Sequence, residues 1–104
     1  MMSFFKNILG GQPEPDYKKL IEQQAQILDV RSPGEFQTGH IPNAIHIPLP
    51  ELAGKAKKLS KSRPVIVYCA SGGRSASAAA LLKSMGFSQV VNGGGMHALR
   101  NKLK

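Results

Sequence analysis

A single cysteine, Cys69, opens the polar stretch Cys69-Ala70-Ser71-Gly72-Gly73-Arg74-Ser75, where more chemistry is gathered than anywhere else in the chain. The thiolate of a cysteine is its nucleophilic form, and at helix N-termini or beside cations the thiol pKa falls to roughly 3.5–7.5. Both conditions surround Cys69. Gly72 and Gly73 let the backbone take up positive φ and turn its N–H groups into a cup. An alanine-rich helical pattern begins near Ser75, so the free N–H donors and partial positive charge of its first turn face the sulfur. Arg74 adds a planar donor fork suited to an anion with several oxygens. The candidate site is therefore Cys69 with Ala70, Ser71, Gly72, Gly73, Arg74 and Ser75, and its chemistry is attack by a thiolate on an anion held above it. Arg74 would either contact that anion or pin the loop through a salt bridge. Ser71 either donates to sulfur or oxyanion or simply fills the loop. Ser75 has the same choice but is expected as the N-cap of the helix.

No general base stands near Cys69 in sequence. His40, His46 and His97 are scattered and fit scaffold roles, so acyl transfer by a Cys–His pair lacks its second member. One cysteine makes neither an internal disulfide nor a multi-cysteine metal site. No cofactor and no metal are expected.

The elements that must position this loop follow from hydrophobic pattern and punctuation. Val65-Ile66-Val67-Tyr68 is an unbroken apolar run leading into Cys69, as expected of a central parallel strand covered on both faces. Ser75 to Met85 reads as a helix stopped by Gly86. Upstream, Asp16–Gln24 predicts a short helix with Tyr17, Leu20 and Ile21 inward, and Ile27–Val30 a strand with a carboxylate, Asp29, set inside it. Ser32-Pro33-Gly34-Glu35 is a capping box with proline at the first helical position, predicting a brief helix to about Thr38. Ala44–Ile47 reads as a strand between prolines. Pro50 opens a basic helix to about Leu59, with Leu52, Ala56 and Leu59 at helical spacing. Gln89–Val91 reads as the last strand, Gly93–Gly95 as a loop and Met96–Leu103 as the final helix. Strands alternating with helices predict an α/β domain: a central, mainly parallel sheet of about four to five strands flanked by helices on both faces.

Length and composition set the outer limits. The 104 residues suit one domain, expected over residues 14–104 after a flexible leader at 1–13, and 41% hydrophobic residues can furnish a core. No run reaches the ~18 apolar residues of a membrane span. The pairs Phe4-Phe5 and Ile8-Leu9 are too short and interrupted for a secretory signal, which needs a continuous apolar run of roughly 7–15 residues. With a free thiol, that points to a cytoplasmic setting. The net charge of +8, from 14 basic and 6 acidic residues, gathers at Lys55–Arg63 and Arg100–Lys104. No aromatic residues interleave with these charges, which argues against nucleic acid and leaves small anions or an acidic protein as partners.

Two stretches resemble the rhodanese-like sulfurtransferases. Ile27-Leu28-Asp29-Val30-Arg31 with Gly39-His40-Ile41-Pro42 is similar to the family's upstream strand end and turn, and Val65–Ser75 to its active-site loop. Gly86-Phe87, Val90 and Gly93-Gly94 match its closing strand and glycine turn, so the likeness spans about residues 14–103. It implies a rhodanese-like fold and a thiosulfate sulfurtransferase. Cys69 would take a sulfane sulfur from a small anionic donor such as thiosulfate, hold it as a persulfide cradled by the N–H groups of Ala70–Ser75, and pass it to cyanide or a thiol. A sulfur-carrier protein with an acidic face is a further partner of this kind. In such a domain Asp29 and Arg31 brace the site, and Glu35 is a partner for an arginine. The family often has a tryptophan after the glycine turn, where this chain has Met96-His97. Other readings on the same fold are a binding or sulfur-relay module and a cysteine phosphatase or arsenate reductase. The phosphatase loop resembles Cys-x5-Arg, one residue longer than the four between Cys69 and Arg74. No Asp lies within the shorter loop to protonate a leaving group.

Overall fold

In the computed structural model, which describes residues 14–104, helices and strands alternate along the chain. They are α1 (Tyr17–Glu22), β1 (Gln26–Asp29), α2 (Pro33–Gln37), β2 (Ile45–His46), α3 (Leu52–Lys55), β3 (Val65–Cys69), α4 (Gly73–Ser84), β4 (Val90–Gly95) and α5 (Met96–Lys102). The leader expected over residues 1–13 lies outside the described residues. The four strands form one sheet in the order β2-β1-β3-β4, every pair parallel. In such sheets ligands bind beyond the carboxyl ends of the strands, where the chain order reverses. Here the reversal falls between β1 and β3, beside Cys69.

All five residues of β3 are buried, and its alternation divides the core in two. Val65, Val67 and Cys69 pack with Leu28 and Val30 beneath Leu52, Ala56 and Leu59 and beneath Ala78, Ala79 and Leu82 of α4. Ile66 and Tyr68 point the other way, toward Tyr17 of α1 and Leu99 of α5. Helices cover both faces, as the apolar run of β3 requires. Ile21, expected inward, is 45% exposed, because Tyr17 and Leu20 already take the sheet-facing side of the six-residue α1.

Three further expectations are corrected. The basic helix from Pro50 is a 3₁₀ turn (Leu49–Glu51), the four-residue α3 and a second 3₁₀ turn (Ala56–Lys58). Gly54 weakens the helix from within, and so short a helix is held by burial of Leu52, Ala56 and Leu59 rather than by propensity. Next, α4 begins two residues before Ser75, with Gly72 as its N-cap at φ +112°. Last, Gly93–Gly95 is strand, not loop. Register steps from Val67↔Asn92 to Tyr68↔Gly94, leaving Gly93 as a bulge. These glycines serve close approach. A Cβ on Gly93 would lie 3.0 Å from Leu99 and 3.1 Å from the Val67 carbonyl, and one on Gly95 only 2.6 Å from the Ala70 carbonyl.

Gly95→Ala should therefore lower stability by about 1–3 kcal/mol, since the backbone it strikes belongs to the Cys69 loop. Gly54→Ala, with open space around its Cβ, should raise stability by about 0.5–1 kcal/mol. Urea unfolding of the two variants tests the contrast, and an unchanged midpoint for Gly95→Ala would contradict the close approach.

Candidate active site

Cys69 ends β3 with its side chain 1% exposed and its thiol free. The chain then turns through Ala70–Gly72 and enters α4. Left-handed backbone at Gly72, which side-chain-bearing residues rarely adopt, brings the loop back over the sulfur. The Gly72 N–H donates to Cys69 Sγ at 2.9 Å and the Ser75 N–H at 3.4 Å, while Ser75 Oγ stands 3.5 Å away. Ala70, Ser71 and Gly73 form the exposed rim. Burial pushes the thiol pKa up. Hydrogen bonds that the thiolate receives from the Ser75 hydroxyl and from the Ser75, Gly72 and Ser71 N–H groups outweigh it and hold Cys69 below the ordinary thiol value. The first turn of the twelve-residue α4 points its dipole the same way.

Ser75 is not the helix cap. It lies in the first turn, fully buried, and its hydroxyl approaches the Gly72 carbonyl at 2.9 Å and Asn92 Oδ1 at 2.7 Å. Asn92, on β4, is a site neighbour that the sequence left unremarked, since only the bulge at Gly93 brings strand and loop together.

The Arg74 guanidinium is engaged by Glu35. Its Nη1 and Nη2 donate to Glu35 Oε1 and Oε2 at 2.6 and 2.9 Å, clamping α4 to α2. Glu35 is held in turn by the capping box: the Ser32 N–H and Oγ–H both donate to Oε1 at 3.0 Å, and the Glu35 N–H donates to Ser32 Oγ at 3.3 Å. The Arg74 fork, followed by the Ser32 N–H, draws the Glu35 pKa down to about 2.

Asp29 and Arg31 lie at the end of β1, the strand beside β3. Asp29 is fully buried and accepts from Arg31 Nε, Nη2 and backbone N–H at 2.8–3.1 Å, while Nη2 also donates to the Gly39 carbonyl at 2.6 Å. Burial pushes the Asp29 carboxyl up, but hydrogen bonds from Arg31 and Tyr68 leave it below its ordinary value. The Tyr68 phenol, raised to about 12 by burial and then by Asp29, accepts from the Ile41 N–H at 3.1 Å. The Gly39–Ile41 turn is thus gripped twice. His40 and His46 sandwich Phe36, with centroids 3.7 and 4.2 Å away, and bond the carbonyls of Phe36 and Arg31. Among the described residues, no three His, Cys, Asp or Glu side chains gather as a metal site. A cavity of about 330 Å³ beside Tyr17, Ile21 and Leu103 is separate from the Cys69 loop, none of whose residues line it.

Comparison with known proteins agrees with this geometry. The sequence profile of the rhodanese-like domain matches residues 14–102. The thiosulfate sulfurtransferase GlpE of Pseudomonas syringae pv. syringae (strain B728a) is 38% identical over 95 residues, covering 89% of this chain and 86% of that protein. YrkF of Bacillus subtilis (strain 168) is 39% identical over 71 residues, 68% of this chain, which spans only 38% of YrkF's length. Among solved structures, a rhodanese-related protein from Thermoplasma volcanium superposes with a TM-score of 0.70 at 35% identity, covering 86% of this chain and 93% of that one.

The Glu35–Arg74 clamp has a pH signature. Because its folded pKa is depressed, Glu35 contributes stability fully above its ordinary value of 4.5 and loses it as pH falls toward about 2. The side chains are 36% and 39% exposed, so screening holds the contribution within about 1 kcal/mol. Glu35→Gln should be less stable than the parent at pH 6, with the gap closing by about pH 2. Urea midpoints across that window test this, and a gap independent of pH would mean that the carboxylate charge is not what clamps the loop.

Proposed function

Because this chain belongs to the rhodanese-like domain family, we propose that it is a sulfurtransferase that carries a sulfane sulfur on Cys69 as a persulfide. The observation that carries this reading is the convergence of the Gly72 and Ser75 N–H groups on a buried Cys69 Sγ. Dipoles fixed in that way stabilise a negative sulfur without a general base.

In the first half-reaction the Cys69 thiolate attacks the outer sulfur of thiosulfate. A Cys69 S–S bond forms, the bond to the sulfonate sulfur breaks, and sulfite leaves with the electron pair. The new terminal sulfur carries the negative charge into the cup of N–H groups from Ala70 to Ser75. In the second, cyanide or a thiolate acceptor attacks that terminal sulfur and Cys69 leaves as the thiolate, ready for another cycle. Oxidation states balance without any cofactor. A small anionic donor suits a rim that offers backbone N–H groups and little room. A sulfur-carrier protein with an acidic face is the macromolecular partner that a charge of +8 suits. A reducing compartment such as the cytoplasm would keep the Cys69 thiol available for this cycle.

Arg74 serves in this reading as the pin of the loop, since both arms of its fork are taken by Glu35. Asp29 and Arg31 act as braces and touch no reacting atom. The alternative phosphoryl chemistry is disfavoured by the same clamp, because a bound phosphoryl group would need the arginine fork for itself.

Incubation with thiosulfate, removal of excess and intact mass measurement should reveal a gain of one sulfur that cyanide removes. Cys69→Ser should show none. Absence of the adduct in the parent, or an equal adduct in Cys69→Ser, would overturn the proposal. So would hydrolysis of an aryl phosphate that depends on Cys69.

A further inference from the structure

A serine hydroxyl carries one proton, yet Ser75 Oγ lies within reach of three acceptors. Asn92 Oδ1 is 2.7 Å away, the Gly72 carbonyl 2.9 Å and Cys69 Sγ 3.5 Å. The orientation of the Asn92 amide is fixed independently. The Gly94 backbone N–H stands 3.0 Å from the same Oδ1 and can only donate, so that atom is the carbonyl oxygen and not the NH₂. A carbonyl oxygen only accepts. The Ser75 proton is therefore directed to Asn92, with the Gly72 carbonyl the next nearest acceptor, and Ser75 Oγ turns its lone pairs toward Cys69.

We propose that Asn92 is a positioning residue that competes with Cys69 for the Ser75 hydroxyl proton and so makes the thiolate fraction of the resting site smaller than it would be without Asn92. The resting chain runs from Cys69 S–H to Ser75 Oγ, and from Ser75 O–H to Asn92 Oδ1. When Cys69 loses its proton, the Gly72 and Ser75 N–H groups remain on the sulfur, but the hydroxyl joins them only by releasing its shortest bond. Asn92 thereby restrains the thiolate fraction of an unloaded cysteine. The thiolate is the form that oxidises, so the restraint also shields the empty site. The inference rests on Cys69 being the reactive group of the proposed function, but its test reads only proton binding.

Charged groups on the elements packed around the sulfur are Arg74 on α4 with its partner Glu35 on α2, and Asp29 with its partner Arg31 at the end of β1. Tyr68 precedes Cys69 on β3 but points to the opposite face of the sheet. None of these is changed in the variants below. Asn92 is exposed, so its truncation leaves no buried void.

Cys69 is the only cysteine, so its titration can be followed on the whole chain by thiolate ultraviolet absorbance and by iodoacetamide alkylation against pH. Asn92→Ala should lower the apparent thiol pKa by about one unit, giving roughly tenfold faster alkylation at pH values below it. In a Ser75→Ala background the same change should shift nothing. An unchanged or raised pKa in Asn92→Ala, or an equal drop without the Ser75 hydroxyl, would overturn the assignment. Asn92→Asp keeps an acceptor for both Ser75 and Gly94, and it serves if the alanine variant fails to fold. It should raise the pKa more in the parent than in Ser75→Ala, and equal rises would also count against the proposal. If the titrations behave as expected but thiosulfate leaves no sulfur on Cys69, the sulfurtransferase reading fails while the role of Asn92 stands.

Discussion

Two backbone N–H groups aimed at one buried sulfur constrain the rest of this molecule. Peptide groups cannot converge unless the chain curls back on itself, and between Cys69 and Ser75 it does so by left-handed backbone at Gly72. The curl leaves the Ala70 carbonyl directed at the neighbouring strand, within 2.6 Å of where a Cβ on Gly95 would stand. Glycine at the end of β4 is thus a condition for the cup, and the bulge at Gly93 sets which residues of that strand meet the loop. An anion site made of N–H groups is only as well defined as the strand that backs it.

A second tier of interactions holds the other side. Asp29 and Arg31 are buried as a pair, and pairs of this kind contribute less to stability than their contact distances suggest, because both charges lose their water. Their contribution is directional. Arg31 fills the Asp29 carboxylate and carries a further donor to the Gly39 carbonyl, while Tyr68 holds the Ile41 N–H. The turn anchored in this way follows α2, whose Glu35 clamps Arg74. Strand end, turn, capping box and thiol loop form one connected assembly, in which both arginines near the sulfur are already paired with carboxylates. The groups that face the sulfur are accordingly oriented backbone dipoles.

Several parts of this arrangement were legible from local sequence. The capping box at Ser32–Glu35 specifies its own hydrogen bonds over a span of three residues, and the structure contains all of them. The apolar run at Val65–Tyr68 demanded cover on both faces and receives it. Cys69 with the glycines after it announced a thiol cup, because positive φ and a helix start are properties of adjacent residues. The start of that helix was misplaced by two residues, since Ser75 is a good cap by type and Gly72 takes the position through its backbone angle.

What tertiary structure alone decided are the pairings that cross the fold. Arg74 lies 39 residues from Glu35, and nothing in either neighbourhood tells whether the guanidinium faces a ligand or a carboxylate. That outcome depends on α2 and α4 being brought to the same end of the sheet. The Gly93–Gly95 stretch looked like a loop because glycine is depleted in strands, and its role appears only once β4 lies against the Cys69 loop. Asn92 meets Ser75 through the same register step. The sequence by itself determined the thiol at the strand end, its N–H donors and the α/β scaffold, since these rest on neighbours along the chain. Sheet order, strand register and one bulge decided which side chains surround the sulfur, because residues far apart in sequence meet only when the backbone ladder sets their distance.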